Sequence, residues 1–497
     1  LILEKIVSSG EFEGDFKFNL DDDGNIKNDF LINGDVTNLN LKFLNDFVIK
    51  DLNFRFNINN EKQEFENIKL IIENNILYSN KITLKNEKDK FSIFGNLKSE
   101  NSIINKETVK MFFNDKINEL DIDQIKLNSN VDILIESREK PFKDFKLNKK
   151  FKFDNINLKA KLFVKQFEYI PKKVKLFKEL IKNYKDKVIL EDQEIKIDYS
   201  KDDLNIYNSG LISFEDGIFD NFQLNVKIQD NKYHFKINSN LDNHVIQIPN
   251  LNYAKKVKEK MTLKIDGKYS SKNSFELNKI NVQHGKNFFK FKNILLNNKN
   301  EIKSIDEVNF LFFDIDQNKN NLFLKRKSKN YELKSKFLNL EKIINSYLFS
   351  SSDNTSLKVF ENLNSSLKIK IDKSIIEKQH FLNNISGIIN FKNNKIYKAK
   401  IDGVSVDGKK TKIQTNTLND EIITTFRSDS PNIFVSKYSF VNGFDGEYLD
   451  FYSSKKANIS NAKLVINNFK LKEMPALTKI LSLASLQGIA DLLTGEG

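Results

Sequence analysis

"FQLNVKI" (222–228) and "YHFKINS" (233–239) decide how this chain folds. In the first, Phe222, Leu224, Val226 and Ile228 alternate with Gln223, Asn225 and Lys227. In the second, Tyr233, Phe235 and Ile237 alternate with His234, Lys236 and Asn238. A period of two places one set of side chains on each face of an extended strand. Both stretches therefore read as strands with one apolar and one polar face.

The same alternation runs outward in both directions. "FKFNL" sets Phe16, Phe18 and Leu20 against Lys17 and Asn19, and "LNFRFNI" (52–58) sets Phe54 and Phe56 against Arg55. It recurs in "VDILI" (131–135), "LKAKLFV" (158–164), "MTLKIDG" (261–267), "SLKIKID" (366–372), "GIINF" (387–391) and "YKAKIDGV" (397–404). Asn-, Asp-, Lys- and Gly-rich clusters such as "DDDGN" (21–25), "KNEKDK" (85–90) and "NNKNE" (297–301) separate these runs as hairpin turns. The expected fold is mostly β: a long, curved, largely antiparallel open sheet forming an extended apolar groove, with a few short helices. No fixed repeat length argues for a propeller or a solenoid.

Three segments break the pattern. In "NKETVKMFFNDKI" (105–117), Asn105 can cap a helix whose face carries Val109, Phe112, Phe113 and Ile117. In "IPKKVKLFKELIKNY" (170–184), Ile170, Val174, Phe177, Ile181 and Tyr184 fall at helical spacing, and Pro171 suits a first turn. Its lysines either face water or lie against anionic headgroups. The third is the apolar "MPALTKILSLASLQGIADLLTGEG" (474–497), read as two short helices. Pro475 starts the first, Ser485 caps the second and Gly495 ends it.

Composition narrows the function classes. The chain has 497 residues, 39% hydrophobic and 30% charged, enough to bury a core. Its 80 Lys and Arg against 67 Asp and Glu give a net charge of +13. Heavy use of Lys, Asn and Ile is what AT-rich coding imposes, so much of that charge is read as solvated faces. With no cysteine, disulfides and thiolate metal sites are impossible. Only 17 Gly exclude a Gly-rich calcium-binding solenoid. No apolar run is long enough to span a membrane as a helix. The first residue is Leu, and the chain is expected to be a piece of a longer protein.

No chemistry-bearing motif emerges. "NLDDDGNIKNDF" (19–30) has the acids of a calcium loop but Phe30 where a bidentate Glu belongs, so a hairpin turn is expected. His234, His244, His284 and His380 are far apart and lack zinc spacing; each reads as a surface or strand residue. No phosphate-binding glycine loop, nucleophile elbow or metalloprotease helix occurs, and the chain is read as no enzyme, with no cofactor. Lysines and aromatics alternate and so point to opposite faces, which argues against nucleic acid.

The C-terminal quarter resembles a known family. Quoted in order, "ISGIINFKNNKIYKAKIDG" (385–403), "TTFRSDSPNIFVSKYSFVNGFDGEYLDFYSS" (424–454) and "AKLVINNFKLKEMPALTKILSLASLQGIADLLTGEG" (462–497) carry the likeness. It is similar to the AsmA-like C-terminal region of YhdP-type envelope proteins of Gram-negative bacteria, particularly the alphaproteobacterial form. Phe469, Pro475, Leu477, Leu481, Ser485, Leu486, Gly488, Leu492, Gly495 and Gly497 occupy the family's motif positions. Met474 stands where the family often has a small residue, and the family continues for more strands beyond the position of Gly497. Upstream of about 380 the similarity is one of texture only. Two regions follow: an extended β-groove over 1–379 and the AsmA-like region, cut short, over 380–497.

The resemblance implies bridge-like phospholipid transport between inner and outer membranes. It places the protein in the periplasm, anchored in the inner membrane by a segment outside this chain, with envelope proteins as further partners. Acyl chains would slide along the apolar inside of the sheet while headgroups stay in water. By alternation, the groove-lining candidates are Phe54, Phe56, Ile93, Leu224, Val226, Ile228, Phe235, Ile237, Leu263, Ile265, Ile369 and Ile371. The competing expectation is an envelope structural or assembly protein acting on outer-membrane protein clients through a closed β core.

Overall fold

The computed structural model describes residues 7–25, 27, 29–42, 48–72, 75–87, 90–105, 122–137, 158–171, 180–199, 203–229, 232–270, 274–297, 301–344, 360–377, 380–431, 446–456 and 459–468. They are almost entirely β, in large, mostly open antiparallel sheets with no closed barrel. The chain divides into two units, Leu1–His244 with Lys268–Lys272, and Val245–Gly267 with Asn273–Gly497.

The first unit contains β1 (Val7–Lys17), β2 (Leu31–Lys42), β3 (Val48–Asn59), β4 (Lys62–Ile72), β5 (Asn75–Glu87), β6 (Lys90–Asn105), β7 (Ile122–Ser137), β8 (Leu158–Pro171), β9 (Val188–Tyr199), β10 (Asp203–Glu215), β11 (Ile218–Gln229) and β12 (Lys232–Asn240). Each pairs antiparallel with the next in sequence, a twelve-strand meander. Short polar turns explain this order. At the β1–β2 turn, the Asp21 carboxylate accepts hydrogen bonds from the backbone N–H groups of Asp23 (3.0 Å) and Asn25 (2.7 Å), and Gly24 takes a positive φ of 81°. These bonds hold the Asp21 carboxyl below the usual carboxylate range.

The second unit opens with a small hairpin, β13 (Ile246–Ile248) and β14 (Tyr253–Lys255), joined by a single 3-10 turn at Pro249–Leu251. β15 (Met261–Ser270) follows, its last three residues, Lys268–Ser270, belonging to the first unit. Then come β16 (Ser274–His284), β17 (Asn287–Leu296), β18 (Ile302–Phe313), β19 (Lys319–Lys327), β20 (Asn330–Asn339), β21 (Ser365–Glu377), β22 (His380–Lys392), β23 (Lys395–Ser405), β24 (Lys410–Leu418), β25 (Glu421–Ser428), β26 (Tyr448–Lys456) and β27 (Ile459–Asn467). From β16 on, each again pairs with its successor. β20 and β21 pair in parallel, the one such ladder among the described strand pairs.

Two helix readings change at their boundaries. Asn105 ends β6 and pairs with Gln124, while residues 106–117, where its helix is expected, lie outside the described residues. Ile170 and Pro171 do not open a helix; they end β8, opposite Gln124 and Ile122. Proline is tolerated at such a strand end, where a missing N–H costs little. Residues 172–179 and 469–497 lie outside the described residues, and with them every family motif residue from Phe469 to Gly497. Phe18 and Leu20 lie beyond the end of β1 at Lys17, in the approach to the turn, and both are exposed.

Candidate functional site

Register aligns the apolar residues of successive strands into rows that cross the sheet. In the first unit one row runs Phe16–Ile32–Ile58–Gln63–Leu84–Ile93–Ile135–Ala160–Ile197–Ile206–Val226–Phe235. Gln63 is its one polar member. A parallel row runs Gly14–Gly34–Phe56–Phe65–Ile82–Gly95–Ile133–Leu162–Ile195–Asn208–Leu224–Ile237. Twelve strands at ~4.8 Å spacing give each row a span of about 50 Å.

Gly14 and Gly34 in these rows make room for rings. A Cβ on Gly34 would stand 2.4 Å from the Glu13 carbonyl oxygen and 2.7 Å from the Phe56 ring. Over that gap Phe12 and Phe56 stack with centroids 5.6 Å apart and planes 21° apart. Phe54 meets Phe65 edge-on at 5.6 Å.

The second unit repeats the device. Its row runs Ile280–Phe291–Val308–Leu324–Leu333–Ile369–Gly387–Ile401–Ile413–Phe426–Phe451–Leu464, again over twelve strands. Two local elements cover parts of this face. The β13–β14 hairpin packs Tyr253 against Phe289 and Phe312, with centroids 4.9 Å and 6.0 Å away. The turn after β20 packs Leu340 and Ile344 onto Leu338, Ile371, Ile376, Leu382 and Ile385.

The twelve groove candidates fall as follows. Phe56, Leu224 and Ile237 share one row of the first unit; Ile93, Val226 and Phe235 share the other; Ile228 sits in the next register position beside Tyr233. Phe54 precedes Phe56 on the same face and lies opposite Val36. Ile369 stands in the second unit's row, and Ile371 lies one alternation further, opposite Ile385. Leu263 and Ile265 share a face of β15. Phe56 and Ile371 are buried, at 5% and 3% exposure, whereas the other ten are half-buried. The opposite face is charged and cross-linked: Arg55 pairs with Asp35 (3.0 Å), Lys81 with Glu64 (2.7 Å) and Glu66 (2.9 Å), and Lys292 with Glu307 (2.7 Å). Each such exposed pair contributes roughly 0–1 kcal/mol.

Sequence reading missed two histidine contacts. His244 is not a surface residue: it is fully buried, its Nδ1 lies 2.6 Å from the Asp220 carboxylate, and the Phe214 N–H donates to its Nε2. The His244 Nδ1–H must then be the donor to Asp220. The second joins Tyr253, His284 and Glu259. The Tyr253 hydroxyl (2.7 Å) and the Asn287 amide (3.1 Å) both reach Nδ1 of His284, while its Nε2 faces Glu259 at 3.3 Å. Two donors on Nδ1 need a lone pair there, which selects the neutral ring with its proton on Nε2. Burial accordingly pushes the His284 pKa down, opposed by Glu259 and aided by Lys255. Burial also drives the Tyr253 phenol well above its usual range. The second contact ties the β13–β14 hairpin to the β16–β17 turn. Aspartate–histidine and tyrosine–histidine pairs 24 and 31 residues apart leave no sequence signal.

The His284 contact sets a pH dependence. Its folded pKa lies below the model-peptide value of 6.5, so stability is fully present above that value. It should fall as pH drops through the interval between 6.5 and the depressed folded value. Thermal unfolding measured from pH 7.5 to 5 should show this loss, and His284→Asn should flatten it.

Among the described residues no cluster of His, Asp and Glu could hold a metal ion, and no helix is long and apolar enough to cross a membrane. Comparison with known proteins returns no match: no family model, no curated protein and no solved structure resembles the chain significantly.

Proposed function

We propose that the chain carries phospholipid along its apolar sheet faces, as a bridge-like transporter between the inner and outer membranes of an envelope. The reading rests on one observation: mostly apolar rows cross twelve successive strands, and ten of the twelve groove candidates are half-buried. A persistent apolar face left against water is unfavourable, and such faces mark surfaces that meet something apolar. An acyl chain suits it, because each CH₂ removed from water contributes ~0.8 kcal/mol without demanding directional contacts. Rows running across the strands offer the same surface at every step, so a chain can shift from one strand to the next with little change in energy. Localisation in the periplasm and anchoring by a segment outside this chain belong to the same proposal, supported by the C-terminal resemblance.

A photo-reactive residue at Phe56 or Ile237 should crosslink to phospholipid in cells, and lipid should copurify with the chain. Absence of lipid adducts across many row positions would sink the reading.

A further inference from the structure

In the second unit the face opposite the apolar row carries a surplus of positive charge. Across β19 to β24, register sets Lys325–Glu332–Lys368–Ile388–Lys400–Gln414 beside Phe323–Lys334–Lys370–Ser386–Asp402–Lys412. By alternation the same face also carries Lys327, Lys336, Lys398 and Lys410, against one further acid, Asp372. Glu332 is engaged by Lys327 (2.7 Å) and Lys334 (3.3 Å). Among the described residues Lys325, Lys368, Lys370, Lys400 and Lys412 have no ion pair, and all but Lys412 are exposed. The polar face of the first unit is better balanced: Lys62, Lys81, Lys196 and Lys227 each have a carboxylate within 3.9 Å. Like charges set strand beside strand repel each other, and an opposing negative surface relieves that repulsion. Ile388 lies between Lys368 and Lys400 and is 47% exposed. Further along the row Tyr452, 43% exposed, stands beside Lys463.

We propose that this face of the second unit docks onto a bilayer surface rich in anionic phospholipid. The lysine ammonium groups meet lipid phosphates, and Ile388 and Tyr452 enter the boundary between headgroups and acyl chains. Nucleic acid fits less well, because bases stack on aromatic rings and an isolated isoleucine offers them none. The proposal does not rest on lipid carriage: crosslinking at Phe56 reads carriage, vesicle binding reads this face, and either can fail alone.

The probe is a vesicle of equal parts phosphatidylcholine and phosphatidylglycerol, with phosphatidylcholine alone as the neutral companion, and the full chain is followed by co-flotation. The chain should float with the anionic vesicles only, and added salt should release it. The triple variant Lys368→Gln, Lys370→Gln, Lys400→Gln should weaken partitioning by about a hundredfold. The triple variant Lys161→Gln, Lys232→Gln, Lys236→Gln removes the same charge from exposed positions of the first unit and should change partitioning little. Ile388→Ser should weaken it severalfold at unchanged net charge. Circular dichroism checks that these surface variants remain folded. Equal binding to both vesicles, no binding to either, or equal losses in the two triple variants would overturn the proposal. Tighter binding of a single-stranded oligonucleotide, lost in the first triple variant and indifferent to Ile388→Ser, would overturn it in favour of a soluble polyanion.

Discussion

Phe451→Ala is expected to destabilise the second unit by about 3–5 kcal/mol, the cost typical of emptying a buried phenylalanine site. Phe451 is 1% exposed and stands between Phe426 and Leu464 in register. Its neighbour Tyr452 points to the opposite face and is 43% exposed, so Tyr452→Ala should stay within about 1 kcal/mol. Denaturant titration of the two variants compares faces one residue apart. Similar losses at both positions would mean that the alternation does not separate core from surface here.

The second large effect concerns carriage. Val226→Glu places a carboxylate in the row, between Ile206 and Phe235. The site is half-buried and open to water, so the free chain should tolerate it with little loss of stability. An acyl chain laid over it would desolvate an unpaired charge, at a cost of several kcal/mol. Since 1.4 kcal/mol is a factor of ten, lipid crosslinking at Phe235, beside it in the same row, should fall more than tenfold. Asn225→Glu, one residue away on the exposed face, should leave it unchanged. Equal crosslinking in both variants would argue that lipid does not travel along this row.

Alternation made the strands legible where turns are polar and faces clean. β11 and β12 follow "FQLNVKI" and "YHFKINS" closely, and the twelve groove candidates lie on alternating strand faces. Register was not legible, because it depends on turn geometry and bulges such as those between Val36 and Leu39, which no periodicity encodes. "FLFF" (310–313) hid the face of β18: four consecutive apolar residues show no period, though Phe312 is buried to 1% in a cluster with Tyr253 and Phe289. Pro171 misled because first-turn preference is local, while the strand it ends is fixed by pairing with β7. The covering hairpin around Tyr253 left no mark either, since three-residue strands are too short to display a period.

The meander has a consequence for cooperativity. Among the described strand pairs, each strand from β1 to β11 draws its ladder from its sequence neighbours, so unfolding free energy is close to a sum of strand and interface contributions, as in repeat proteins. Such a chain need not melt as a single two-state body. Opening can begin at an edge, or at any weakened strand, and spread while the strands behind it stay paired. Hydrogen exchange along the meander should therefore report protection that differs from strand to strand, with no common value across the first unit.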